Sequence, residues 1–140
     1  MLPNRLFSVE NAVPAILAYL LHLTTAVALV MGFFVVYTRV TPYDEVHLIR
    51  EGNGAAALSL GGTLLGFSVT VAASLMYTRD YYEFVGWGAF AMLVQVLVFV
   101  VATRLLRMSK DQIEANNMAF GGLLGAISLS IGLINAGSVS

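Results

Sequence analysis

Few side chains inside the apolar runs of this sequence could carry chemistry, and His22 is the foremost of them. It is the only Asp, Glu, Lys, Arg or His residue between Val13 and Arg39, and an ionisable residue inside an apolar run is by default a candidate functional site. A proton relay would need a carboxylate partner within the same run, and the sequence has none there. We therefore expect a neutral structural histidine that is satisfied by polar neighbours such as Thr25 or Gln95.

Other common kinds of catalytic or ligand site also lack essential residues. A Ser-His-Asp triad would need a carboxylate to orient His22. A phosphate-binding loop would need a Lys after its glycines, which Gly61-Gly62-Thr63 does not have. A metal site would need more ligands than His22, and His47 lies in a separate loop; there is no cysteine to supply a thiolate. We expect a protein without enzyme activity, cofactor or metal.

The polar side chains within the apolar runs have two interpretations. Hydroxyl and amide groups commonly join membrane helices to one another, at about 0.6 kcal/mol each on average, and this is the default interpretation. Alternatively, they line a narrow polar path, which in so short a chain would need several copies around one axis. The candidates for such a path are His22, Thr25, Gln95 and Asn135.

Small and hydroxylated residues recur at helical spacing in the second and fourth apolar runs. Spacings of three and four residues place them on one face of a helix. The pairs Gly62/Gly66 and Gly121/Gly125 match a motif for close approach of membrane helices. This seam either packs the second run against the fourth within one chain or joins subunits. The predicted helix-packing seam consists of Ser59, Gly62, Thr63, Gly66, Thr70, Gly121, Gly125, Ser128 and Gly132.

The apolar runs themselves define the class of protein. Hydrophobic residues make up 59% of the 140-residue chain and charged residues 11%, whereas soluble proteins are typically about 25% charged. About 20 apolar residues cross a bilayer, so we predict an all-α polytopic membrane protein with four transmembrane helices in a single domain, residues 1–140. The predicted spans are about Val13 to Val40, Gly54 to about Tyr77, about Phe84 to Ala102, and about Met118 to Ala136.

The loops between the runs predict the orientation of the chain. Five of the seven Lys and Arg residues follow the first and third runs: Arg39, Arg50, Arg104, Arg107 and Lys110. The positive-inside rule then places these loops in the cytoplasm and both termini on the outer side. Thr41 as cap and Pro42 as first residue predict a short amphipathic helix before the second span. We expect Asp44, Glu45 and Glu51 to be solvated charges or part of a docking surface, and the net charge of −1 does not favour a nucleic-acid partner.

The two halves of the chain align when they are shifted by 64 residues. We predict two tandem parallel repeats, about residues 13–76 and 84–138, each with a span, a short amphipathic cytoplasmic helix and a second span; chance similarity between apolar segments is the alternative. The repeat signature is Asn53 and Ala55 in the first unit and Asn117 and Ala119 in the second. Further identical pairs are Ile49/Ile113, Gly61/Gly125, Leu65/Leu129, Ala72/Ala136 and Ser74/Ser138.

These signatures resemble a known family. The second run is preceded by Gly52-Asn53 and the fourth by Asn116-Asn117, and the fourth ends in Gly132-Leu133-Ile134-Asn135-Ala136. Together they resemble the bacterial inner-membrane proteins of domain-of-unknown-function family 350, although Asn116 stands where the family pattern has Gly. The resemblance covers nearly the whole chain and implies four spans in two tandem units in a bacterial inner membrane. It implies no activity, because the family has none agreed.

The sequence therefore predicts an inner-membrane subunit embedded in the lipid bilayer. It would form a homo-oligomer through the small-residue seam, or bind a cytoplasmic or membrane protein through loops 41–53 and 104–116. The alternative is an oligomeric channel or transporter subunit with a path lined by Ser, Thr, Asn and Gln. A pore requires polar stripes that face an axis, whereas a scaffold requires stripes that are packed dry.

Overall fold

The computed structural model describes residues 9–107 and 109–139, with side chains from residue 13 onward apart from Ser109. These residues form helices and no strand. The helices are α1 (Val9–Val40), α2 (Glu45–Arg50), α3 (Gly54–Tyr77), α4 (Tyr81–Leu105), α5 (Ser109–Glu114) and α6 (Met118–Val139). Within the described ranges, α1, α3, α4 and α6 are long and apolar enough to cross a membrane. The predicted all-α fold with four membrane spans is confirmed.

Helix α4 is longer than the apolar run from which it was predicted. It begins at Tyr81 because the Asp80 side chain caps it, accepting from the Glu83 backbone N–H at 2.8 Å. The Glu83 carboxylate in turn accepts from the Arg79 N–H at 2.9 Å. Tyr81, Tyr82 and Glu83, which precede the predicted start of the span at Phe84, therefore form the first turn of the helix.

Aromatic contacts fix the arrangement of α1, α3 and α4. Near the end of α1, the Tyr37 ring lies 4.5 Å from that of Phe99, close to the end of α4. In the first half of α1, His22 contacts Tyr81 at the start of α4, so these two helices run in the same direction. The Phe33 ring stacks on Phe67 of α3 at 4.4 Å and contributes to the core that the three helices share.

The short helix α2 begins later than the sequence predicts. Thr41 donates its backbone N–H to Tyr37 O at 3.1 Å, which continues the hydrogen-bonding pattern of α1. Its hydroxyl donates to Thr38 O and Tyr43 O, so Thr41 closes α1 and does not cap α2. Asp44 is the cap instead, accepting from the His47 N–H at 3.0 Å.

The turns into α3 and α6 have the same hydrogen bonds at positions 64 residues apart. Gly52 and Asn116 both adopt positive φ, 85° and 57°. In each turn the next residue donates five positions back, Asn53 to Leu48 O and Asn117 to Gln112 O, as in a Schellman motif. Because Asn tolerates the left-handed conformation better than most residues do, Asn116 can replace a glycine here. The shared turn supports the two-repeat organisation, which stays a prediction.

Candidate functional site

The predicted seam residues lie between α3 and α6, whose backbones touch at the glycines. A Cβ added to Gly62 would collide with the Gly125 backbone, and one added to Gly132 would collide with Gly66. A Cβ on Gly66 would lie 2.6 Å from Ser128 O. Gly121 meets the backbone of Ala55 in the same way. The structure therefore brings the two glycine stripes together within one chain.

The hydroxyl side chains along this face of α3 are buried, and three of them donate to backbone carbonyls. Ser59, Thr63, Thr70 and Ser74 have no exposed surface. The Thr63 hydroxyl donates to Ser59 O at 2.8 Å, and that of Ser74 to Thr70 O at 3.0 Å. Thr70 also reaches across the seam and donates to Gly132 O at 2.9 Å. These groups are packed dry against neighbouring helices in the single chain.

His22 and Thr25 of α1 lie together beside the first turn of α4. The Nδ1–H of His22 donates to Ala18 O at 2.7 Å, so a backbone carbonyl is its partner and not Thr25 or Gln95. The ring packs against Tyr81 and Phe84. The Thr25 hydroxyl shares a hydrogen bond of 2.9 Å with that of Tyr81. Because α1 extends beyond the start of α4, His22 lies level with the first turn of α4.

Gln95 and Asn135 lie elsewhere. Gln95 is buried, and its Nε2 donates to Ser128 O at 2.8 Å, which links α4 to α6. Gln95 Oε1 and Asn135 Nδ2 are buried atoms without a hydrogen bond from the described residues. Among the described residues no hydrogen bond connects either side chain to His22 or Thr25, and the polar path stays a prediction.

Asparagine side chains join the two loops at the α2–α5 end of the molecule. Asn53 caps α3 by accepting from the Ala56 N–H at 2.9 Å, and its Nδ2 donates to Ile113 O of α5 at 2.7 Å. Asn116 Oδ1 accepts from the Ala55 N–H of α3 at 3.1 Å. Asn117 caps α6 through the Phe120 N–H at 3.2 Å. The described residues of loops 41–53 and 104–116 thus form one surface, which we call the loop platform.

The repeat-signature residues differ in their surroundings. Ala55 is fully buried where α3 meets Gly121, whereas Ala119 is exposed. Asn53 is 8% exposed and holds α5, whereas Asn117 is exposed and its Nδ2 donates to Gln112 Oε1 at 2.7 Å within its own segment. Asn53 and Asn117 therefore cap equivalent helices in the two halves. Of these two side chains, only Asn53 also donates a hydrogen bond to the other half of the chain.

A buried carboxylate on the loop platform was missed by the sequence analysis. Glu45 is 1% exposed, so the expectation that it is a solvated charge is wrong. Burial raises the pKa of its carboxyl to about 7, and the nearby Asp44 acts in the same direction. Burial also raises the pKa of the neighbouring Tyr43 to about 12. A signal was present, since Glu45 lies three and four residues before Leu48 and Ile49, on the apolar face of α2.

Comparisons with known proteins agree with the architecture. Residues 9–139 match the family model described as Domain of Unknown Function (DUF350). The chain is 30% identical over 122 residues to the UPF0719 inner membrane protein YjfL of Escherichia coli (strain K12), covering 87% of this chain and 92% of that protein. It is 27% identical over 133 residues to the UPF0719 transmembrane protein YshE of Bacillus subtilis (strain 168), covering 93% and 96%. No protein of known structure matches the chain.

Proposed function

The chain belongs to the DUF350 family, and from that premise we propose that it is a non-enzymatic inner-membrane subunit that binds a partner protein at the loop platform. The predicted family is confirmed, and the relatives are bacterial membrane proteins. Neither the family description nor the names of the relatives specify an activity. The proposal is therefore argued from the contacts of the chain itself.

The observation that carries the proposal is the pair of amide contacts that join the two loops. Asn53 ties the start of α3 to Ile113 of α5, and Asn116 ties α5 to Ala55 of α3. A surface that is ordered before binding loses less conformational entropy when a partner docks. The exposed charged groups on this surface are Asp44, Arg50, Glu51, Arg104, Arg107, Lys110, Asp111 and Glu114.

We place the loop platform in the cytoplasm and both termini on the outer side. The support is the excess of Lys and Arg in the loops that follow α1 and α4, according to the positive-inside rule. The partner would then be a cytoplasmic protein, or the cytoplasmic part of a membrane protein, with charges complementary to the platform. Complementary charges favour the encounter and the choice of partner more than the affinity.

We also propose that copies of the chain associate, but through a surface other than the small-residue seam. Since α3 and α6 occupy each other's glycine stripes, these stripes are not available to a second copy. Contacts between copies would use the apolar sides that face lipid, which include Leu93 and Leu97 of α4 and Leu133 of α6. Particle mass and symmetry in nanodiscs would measure the number of copies.

A channel or transporter subunit is the second candidate. The buried atoms without hydrogen bonds from described residues, Gln95 Oε1 and Asn135 Nδ2, are the observation in its favour. The dry seam hydroxyls count against it, because a hydrated path would require them to face water. Solute flux in proteoliposomes that is abolished by Gln95→Leu would favour the channel.

Site-specific crosslinking in cells that express the full chain tests the partner proposal. A photoreactive amino acid at Arg50 or Arg107 on the platform should give a discrete adduct with another protein. The matched control is Leu93, which is 62% exposed on the apolar side of α4. The charge reversals Arg104→Glu and Lys110→Glu should reduce the adduct at Arg50 without changing the amount of protein in the membrane. Equal labelling at Arg50 and Leu93, insensitive to these reversals, would contradict the proposal.

A further inference from the structure

Glu45 is a buried carboxylate with no counter-charge from the described residues. It is 1% exposed, and neither carboxylate oxygen has a partner in hydrogen-bonding geometry in that part of the chain, although the nearby Thr41 hydroxyl lowers the pKa of the carboxyl. The ion pairs found there join His47 to Glu51 and Lys110 to Glu114, and neither includes Glu45. A buried charge without a partner is strongly unfavourable, so such groups are normally paired, metal-bound or neutralised by a proton. When it is ionised, Glu45 therefore needs a counter-charge that the described residues do not supply.

The surroundings of Glu45 are rich in oxygen atoms. Glu45 is one of the residues that line a cleft of about 450 Å³, together with Thr38, Thr41 and Tyr43, and its carboxylate oxygens are buried beneath this surface. The Tyr43 hydroxyl is buried beside the hydroxyls of Tyr37 and Ser59, without a partner in hydrogen-bonding geometry among the described residues. Carboxylate, hydroxyl and carbonyl oxygens are the ligands that hard cations prefer.

The charged and titratable neighbours of Glu45 are few. Tyr37 of α1, Tyr43 and Asp44 are the groups that interact with it electrostatically. Helix α3 contributes neutral hydroxyls, of which Ser59 lies 3.3 Å from the Tyr37 hydroxyl. The Asp44 side chain is exposed and caps α2. Every one of these groups is neutral or acidic, so the local field favours a positive ligand.

We propose that the cleft at Glu45 is a binding site for a monovalent alkali cation, with the Glu45 carboxylate as the anionic ligand and the Tyr43 hydroxyl as a second oxygen ligand. A single buried carboxylate balances one positive charge. Divalent calcium usually takes several carboxylates and carbonyls, and the described residues contain no group of three or more His, Cys, Asp or Glu residues able to hold a metal. The site does not depend on a protein partner and stands apart from the proposed function.

A proton competes with the cation for the same carboxylate. Because burial raises the pKa of Glu45 to about 7, the cation binds well only above that pH, where the carboxylate is ionised. Sodium and potassium share the same ligand chemistry, and the measurement must distinguish them from each other and from the proton.

Thermal unfolding of the purified full chain in nanodiscs tests the site. At pH 8, the unfolding temperature of the wild type is measured in increasing NaCl or KCl, with choline chloride keeping the ionic strength constant. We expect a saturable rise with one alkali cation over choline, since a ligand that binds only the folded state stabilises it. At pH 5.5, where Glu45 is protonated, the rise should disappear.

Variants assign the effect to the cleft. Glu45→Gln should abolish the rise, and Glu51→Gln, an exposed carboxylate on the same segment, should leave it unchanged. Tyr43→Phe removes one oxygen ligand and should raise the half-saturating concentration about tenfold, which tests the site even if Glu45→Gln does not fold. Identical curves for the wild type in NaCl, KCl and choline at pH 8 would overturn the proposal and leave a proton as the ligand.

Discussion

The Asn53 side chain holds α5 in place, because its Nδ2 donates to Ile113 O at 2.7 Å while its Oδ1 caps α3. Ile113 is fully buried in a cluster with Ala55 and Leu124. One amide thus fixes the direction in which α3 enters the bundle and the position of the loop segment that precedes α6. The loop platform depends on this connection between the two halves of the chain.

Replacing Asn53 should destabilise the protein more than replacing its sequence equivalent. Asn53→Ala removes a cap, worth about 1 kcal/mol, and a buried hydrogen bond worth about as much again. Asn117→Ala removes a cap but no hydrogen bond to the other half, and Asn117 is exposed. Reversible unfolding in mixed detergent micelles should show a loss of about 2 kcal/mol for Asn53→Ala and about half of that for Asn117→Ala. Equal losses would mean that the Asn53–Ile113 bond contributes nothing.

Two adjacent glycines of α3 should respond in opposite ways to alanine. A Cβ at Gly62 would collide with the Gly125 backbone, whereas a Cβ at Gly61 meets nothing within 4 Å. Gly62→Ala must push α3 from α6 and should cost about 1–3 kcal/mol. Gly61→Ala should be neutral or stabilise by up to about 1 kcal/mol, through the higher helix propensity of Ala. The same unfolding measurement compares them, and an intact fold in Gly62→Ala that lost only its oligomeric state would assign the seam to subunit contacts.

Much of the fold could be predicted from the sequence, because the lengths of the apolar runs and the spacing of the small residues are local properties of the chain. The small residues from Ser59 to Thr70 are on one face by their spacing, and the matching glycines of the fourth run indicate which helix could receive them. The spacing alone allowed a partner in the same chain or in another one. In the structure, Gly62 lies against Gly125 and Gly132 against Gly66, so these contacts are made within the chain.

The burial of Glu45 and the neighbours of His22 depend on tertiary structure and were harder to predict from the sequence. Glu45 is an acidic residue in a first helical turn, and only its position on the face of Leu48 and Ile49 indicates that it is buried. His22 falls inside an apolar run, but the packing offset of α4 along α1 determines that it lies beside Tyr81. Neither position follows from a count of apolar residues.

The buried Glu45 predicts that stability falls as pH rises in buffers without alkali cations. The pKa is raised from 4.5 in the unfolded chain to about 7 in the folded state, so between these values the folded state binds more protons and loses stability as pH increases. Below pH 4.5 and above pH 7 this group adds no further slope. Unfolding measurements in choline buffers between pH 4 and pH 8 give this slope of stability against pH. Glu45→Gln should flatten the pH dependence of the free energy of unfolding between pH 5 and pH 7, whereas Glu51→Gln should not. If the wild type lacks this slope, the Glu45 carboxylate is solvated.

The Thr70 hydroxyl should contribute a small but measurable part of the α3–α6 contact. It is fully buried and donates across the seam to Gly132 O at 2.9 Å, so Thr70→Val keeps the shape and removes one interhelical bond. The expected loss is about 0.6 kcal/mol, the average for such bonds between membrane helices. Ser130→Ala is the matched control, because the exposed Ser130 hydroxyl donates to Ala126 O of its own helix. If both variants unfold like the wild type, the seam is held by the backbone contacts at the glycines alone. A larger loss of stability for Ser130→Ala than for Thr70→Val would indicate a contact on the outer face of α6.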